Sequence, residues 1–241
     1  MRKIVFAVIA ICLVSTAFAQ DSTLRKILPA SKKEAPSNDH FLIQIGHLSW
    51  VGQSDSIHTK GLPRSLNIYV MLNFPFKTDP HWSVALGPGI ASDNMYFDKM
   101  TVGIADGTSS VRFHDVSDTS HFKRYKLSVN FLEVPVELRY RFNPNDDRHS
   151  VKLALGAKVG TLINAHTKGS ILQNSAGQTL NDYTLKQSSK AFFSKQRLSF
   201  MGRVGVGSFS LFASYSVTPV FKEGLGPTVR PLTIGLTLAG L

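Results

Sequence analysis

A strict two-residue alternation over much of the chain constrains its fold more than any other feature. Phe209, Leu211, Ala213, Tyr215 and Val217 share one parity, and Ser210, Ser214, Ser216 and Thr218 share the other. Leu232, Ile234, Leu236 and Leu238 oppose Thr233, Gly235 and Thr237 in the same way. Val151, Leu153, Leu155, Ala157, Val159 and Ile163 oppose Lys152, Gly156, Lys158, Gly160 and Asn164. A period of two with one apolar face is the signature of a β-strand lying between an apolar and a polar medium. Eight such segments are bounded by turn residues, at about 41 to 51, 64 to 76, 81 to 97, 125 to 142, 150 to 168, 196 to 206, 209 to 221 and 229 to 241.

The connections alternate in length. Those at 77–80, 143–149 and 207–208 are short, whereas 52–63, 98–124, 169–195 and 223–228 are mostly long. This predicts an all-β fold, an eight-stranded antiparallel transmembrane up-and-down β-barrel spanning 41–241, with short periplasmic turns and long extracellular loops. Aromatics near the strand ends suggest two interfacial girdles. Phe74, Phe76, Trp82, Tyr140, Phe142 and Phe209 would line the short-turn side, and Trp50, Tyr96, Phe97, Tyr125 and Phe221 the long-loop side. The structural rival is a soluble lipocalin-like barrel with its apolar face turned inward.

The N-terminal residues read as a secretory signal over 1–19, with Arg2 and Lys3, an apolar run from Ile4 to Val14 and an Ala17-Phe18-Ala19 cleavage site. The apolar run covers only about half of the ~20 residues a spanning helix needs. The single cysteine, Cys12, lies within that run, so a mature chain starting at Gln20 would carry no disulfide. Residues 20–40 are polar and contain Pro29 and Pro36, as expected of a periplasmic linker. The formal charge is +11, and loss of Arg2 and Lys3 leaves 25 basic against 16 acidic residues. That excess is dispersed over linker, loops and strands instead of forming the basic face of a nucleic-acid binder. It suits outer-membrane lipid and lipopolysaccharide, and no nucleic acid is expected as a partner.

In the segment at 125–142 the apolar residues change parity, from Tyr125, Leu127, Val129 and Phe131 to Leu132, Val134, Val136, Leu138, Tyr140 and Phe142. A β-bulge near Phe131 and Leu132 would restore the register. Inward positions would then hold an ion network of structural character formed by Glu133, Glu137, Arg139, Lys158, Arg197 and Arg203, since buried charges must be paired. An eight-stranded barrel is just wide enough for side chains to fill, which argues against a diffusion pore.

The stretch Asn130-Phe131-Leu132-Glu133-Val134-Pro135-Val136-Glu137-Leu138-Arg139-Tyr140-Arg141-Phe142 is followed by a short polar turn and by Leu153-Ala154-Leu155-Gly156-Ala157-Lys158-Val159-Gly160. It resembles the PorT-like outer-membrane β-barrel family of the Bacteroidetes. In that family a Leu-Glu-Ile/Val-Pro stretch, a strand rich in lysine or arginine and a Gly-x-x-x-Gly strand recur in mid-chain. The resemblance extends over 41–241 and implies fold and location. One member is tied to type IX secretion, a role not carried over. The chain departs from a common outer-membrane pattern at Leu241, where an aromatic residue usually ends the strand read by the barrel-assembly machinery, itself an expected partner.

Two constellations invite a chemical reading. His47 and Ser49 share a strand face and resemble the His-x-Ser pair of outer-membrane lipid A deacylases, but Trp50 stands where that family continues with Asn. His114, Asp115, Asp118 and His121 crowd one loop with metal-ligand chemistry and no established spacing. Gly202 to Gly207 follow no phosphate-loop context and suit relief of crowding within a strand. The expectation is therefore a non-enzymatic cell-envelope protein without catalytic residues, metal or cofactor. Through 98–124 and 169–195 it would bind a surface partner or stabilise the envelope; a secretion-accessory role or a lipid-modifying enzyme are the alternatives.

Overall fold

The computed structural model describes residues 40–146 and 149–240. The expected signal peptide, all of the linker but His40, and Leu241 lie outside the described residues. Among the described residues there are thirteen strands: β1 (Phe41–Val51), β2 (Arg64–Val70), β3 (Leu72–Pro75), β4 (Trp82–Leu86), β5 (Gly89–Phe97), β6 (Met100–Gly103), β7 (Arg112–Asp115), β8 (His121–Arg141), β9 (Val151–Gln173), β10 (Thr179–Ser188), β11 (Gln196–Val206), β12 (Phe209–Ser216) and β13 (Arg230–Ala239). Eight of them close a ring, in the order β1-β2-β5-β8-β9-β11-β12-β13 and back to β1, with every pairing antiparallel. Closure leaves no sheet edge within the ring, the condition for strands to cross a bilayer. β3 and β4 prolong β2 and β5 past breaks at Met71 and at Gly87-Pro88.

The expected bulge near Phe131 and Leu132 is not in β8. Every odd residue from Tyr125 to Arg141 is buried inside, while the even residues from Leu132 to Tyr140 line the outer face. What changes is the medium on each side. Below Phe131 the outer face is Leu132, Val134, Val136 and Leu138 and the interior is charged; above it the interior is Val129, Leu127 and Tyr125 and the outer face carries Lys126 and Arg124. A strand that leaves lipid for water exchanges its apolar face without any change of backbone phase. The register shift lies on the partner strand, where Asn130 faces Asn164 and Phe131 faces Leu162, leaving Ile163 as the extra residue of β9.

The short-turn girdle is outward. Trp82, Phe74 and Phe142 are exposed, and Tyr140 packs edge-on against Trp82 at 4.9 Å and against Phe142 at 5.1 Å. The long-loop aromatics correct the second expected girdle. Trp50, Phe97, Tyr125 and Phe221 point inward and only Tyr96 stays on the outer face. Trp50 stacks edge-to-face with Phe97 and Phe221, each at 6.0 Å. They belong to a core that fills the long-loop half with Leu48, Met95, Leu127, Phe131 and Phe193, and which the hairpin β6–β7 caps with Met100, Val102 and Ile104.

Glycine pairing permits the fit in the short-turn half. Gly46 faces Gly235 across β1 and β13, and Phe212 faces Gly235 across β12. A Cβ on Gly46 would lie 3.1 Å from the Phe212 ring and 2.6 Å from Thr233, so the bare Gly46 leaves the space that this inward aromatic occupies.

Candidate functional site

Below Phe131 the interior is a column of charge held by four adjacent regions of the wall. Glu133 on β8, Gly160 on β9 and Arg197 on β11 fall in one cross-strand row. With no Cβ at Gly160, the Glu133 carboxylate reaches over β9 and accepts from Arg197 Nε at 2.8 Å, and also from Arg197 Nη2. A Cβ there would lie 2.9 Å from Glu133 Cγ. Arg197 Nη1 donates to Asp93 on β5, and Tyr69 Oη on β2 donates to the second Glu133 oxygen at 2.6 Å. Lys158 Nζ stands 3.9 Å from the same oxygen. The guanidinium also lies over the Phe131 ring at 4.1 Å, so the ion network forms the floor of the aromatic core.

A second node lies four residues lower on β8. Glu137 faces Gly156, where a Cβ would meet Val136 O at 2.2 Å, and its Oε2 accepts from Arg139 Nε at 2.7 Å and Arg203 Nη2 at 3.1 Å. The Gly-x-x-x-Gly stretch thus has a physical reason: glycines four apart on β9 let two inward glutamates of β8 meet two arginines of β11. Paired in this way, the buried charges keep partners that a lone ion would lack.

The structure brings Glu133, Glu137, Arg139, Lys158, Arg197 and Arg203 together inside the wall, each at most 7% exposed. Asp93 and Tyr69 join them and were missed, because Asp93 shares its face with Ala91, Met95 and Phe97 and looked like a polar interruption of an apolar stripe. The cavity next to Lys158, Arg197, Ser199 and Ser214 has room for about one water-sized group, about 10 Å³.

His47 and Ser49 both face outward on β1, and His47 lies opposite Arg64 and Ile234. No acidic residue shares that row. In the loop, Asp115 accepts from the Ser117 backbone N–H at 2.9 Å, which holds its carboxyl below the usual range, and His121 Nδ1 is 3.2 Å from Thr119 O. His114, Asp115, Asp118 and His121 do not converge, and among the described residues no three His, Cys, Asp or Glu side chains are placed to share a metal ion.

The two long connections end up with different fates. Residues 98–124 fold over the mouth as β6–β7. Residues 169–195 rise as the end of β9 and the strand β10, which is exposed on both faces and pairs with β9 alone. Above the apolar band β8, β9 and β10 therefore continue as a three-stranded sheet with β10 at its exposed edge.

A closed antiparallel ring with an apolar exterior, an aromatic girdle and a charged interior defines a transmembrane β-barrel. The Outer membrane protein beta-barrel domain family matches residues 44–222, and the chain belongs to it, which makes it an outer-membrane protein. Among solved structures it is similar to Ail, the attachment invasion locus protein of Yersinia pestis. One match is at 16% identity and a TM-score of 0.35, covering 83% of this chain and 95% of that one. The other is Ail in complex with the heparin analogue sucrose octasulfate, at 17% identity and a TM-score of 0.34, covering 83% and 96%. A search of the curated proteins found no match.

Proposed function

We propose that this is a non-enzymatic surface protein of the outer membrane, exported by its N-terminal signal, with the short turns in the periplasm and the β8–β9–β10 sheet standing outside as a binding platform. One observation carries the reading: the barrel is filled from the Glu137 node to the β6–β7 cap, while β10 presents an unpaired edge and both faces to solvent. A filled barrel supports anchoring over transport. An exposed strand edge is a template for an added strand from a partner.

Two measurements test this against its rivals. In planar bilayers the purified protein should give no steady conductance, and unitary steps would move it to the transport class. Lipid A from cells expressing it should keep its acyl pattern; deacylation abolished by Ser49→Ala would make it an enzyme.

The stretch from Asn130 to Gly160 supports a PorT-like assignment as the second reading, because the glycines and glutamates of that stretch build the interior network. Such a protein would serve as a secretion accessory, and its deletion would then block export of surface cargo where the first reading expects export to continue.

A further inference from the structure

Three lysines lie in one cross-strand row on the outer wall: Lys126 of β8 faces Lys168 of β9, which faces Lys186 of β10. Like charges directly opposite one another on a sheet face are destabilising. Arg64 and Lys126 flank the outward Tyr96 ring, each 5.8 Å from its centroid, and Arg124 is exposed one pleat above Lys126. Lys126 also donates to Asn94 Oδ1 at 2.8 Å, which fixes its head without neutralising it. Among the described residues none of these five cations forms an ion pair, although Lys60 close by is paired with Asp98 at 2.7 Å. Two adjoining clefts run between them, one lined by Arg64, Tyr96 and Arg124 and the other by Tyr96, Lys126 and Lys168.

The height of this patch points to its ligand. Arg64 sits two residues above Leu66 and four above Ile68, both lipid-facing, and Lys126 sits six above Leu132. At about 3.3 Å per residue and a tilt near 40°, this puts Arg64 about 5 Å, Lys126 about 15 Å and Arg124 about 20 Å beyond the apolar band. Arg64 thus stands in the headgroup layer, which is about 5 to 8 Å deep, and the Tyr96 ring and the cations above it overlie that layer, where side chains as long as lysine and arginine can reach back to it. We propose that Arg64, Tyr96, Arg124, Lys126, Lys168 and Lys186 form a docking face for the phosphate groups of an outer-leaflet glycolipid of the lipid A type. The inference rests on the outward placement of the long-loop rim argued above.

The test uses the full mature chain in mixed micelles with native mass spectrometry. Bisphosphorylated lipid A should be retained more tightly than its monophosphorylated form, and the fully dephosphorylated form should be lost. The triple variant Arg64→Gln, Lys126→Gln, Lys168→Gln should weaken retention by about 100-fold, near fivefold per charge, while Lys190→Gln with Lys222→Gln should leave it unchanged. Retention of a folded, heat-modifiable triple variant at wild-type strength would overturn the proposal. So would equal binding of dephosphorylated lipid A. Displacement by a soluble sulfated glycan at equal affinity would also overturn it, by assigning the face to a soluble polyanion. Because binding to purified protein does not depend on sidedness, an inverted orientation in cells would show separately.

Discussion

Arg197 and Glu133 meet across Gly160, with Nε 2.8 Å from Oε1, and tie β11 to β8 over the strand that separates them. Gly160→Ala should push Glu133 off this contact, since the added carbon falls 2.9 Å from its Cγ. An overpacking cost of about 1 to 3 kcal/mol is expected. It would appear as a lower conversion temperature of the compact, heat-modifiable band on a gel, and an unchanged temperature would show that the pair relaxes freely.

Glu137 holds Arg139 and Arg203 at once. Removing it takes this carboxylate from both inward arginines, and Glu137→Ala should cost about 3 to 5 kcal/mol. Val136→Lys, one residue away on the lipid face, should cost about 2 to 4 kcal/mol near the bilayer midplane. Unfolding of detergent-solubilised protein in urea measures both. A neutral Glu137→Ala together with a stabilising Glu137→Leu would place residue 137 against lipid.

The two tryptophans should report opposite surroundings. Trp82 is 37% exposed on the lipid face, whereas Trp50 is 8% exposed among inward aromatics. In liposomes of brominated lipid, Trp50→Phe protein, which keeps Trp82, should be strongly quenched. Trp82→Phe protein should keep its fluorescence. Equal quenching would return Trp50 to the girdle expected from sequence.

Truncating that inward aromatic should loosen the cap. Trp50→Ala is expected to cost about 3 to 5 kcal/mol, felt mostly in the long-loop half where Trp50 touches Phe97, Phe113 and Phe221. Limited proteolysis should then cut within 98–118 much faster than in the wild type while the membrane-embedded half stays intact. Unchanged cutting would mean that β6–β7 is held by other contacts.

The eight wall strands were legible because turns and alternation act locally: Phe209 to Ser216 and Arg230 to Ala239 carry their own parity. The direction of the aromatics was not. In β1, Ile43 and Ile45 on one parity and Leu42, Leu48 and Trp50 on the other are equally apolar, so only closure of the ring decides which set faces lipid. β10 was also hidden, since neither face of Thr179–Ser188 is buried and no periodic stripe marks it. The ion network was legible in its glutamates and arginines but not in Asp93, whose partner Arg197 is 104 residues away.

Sidedness carries the account, since the platform, the cap and the basic face all belong to the long-loop rim. Single cysteines at Asp182 in β10 and at Asn145 in a short turn, with Cys12 in the expected signal, would be exposed on intact cells to a maleimide bearing a polymer too large for the outer membrane to pass. Asp182→Cys should label on intact cells, and Asn145→Cys only after the outer membrane is opened. Labelling of Asn145→Cys alone on intact cells would contradict the account and put the β8–β9–β10 sheet in the periplasm.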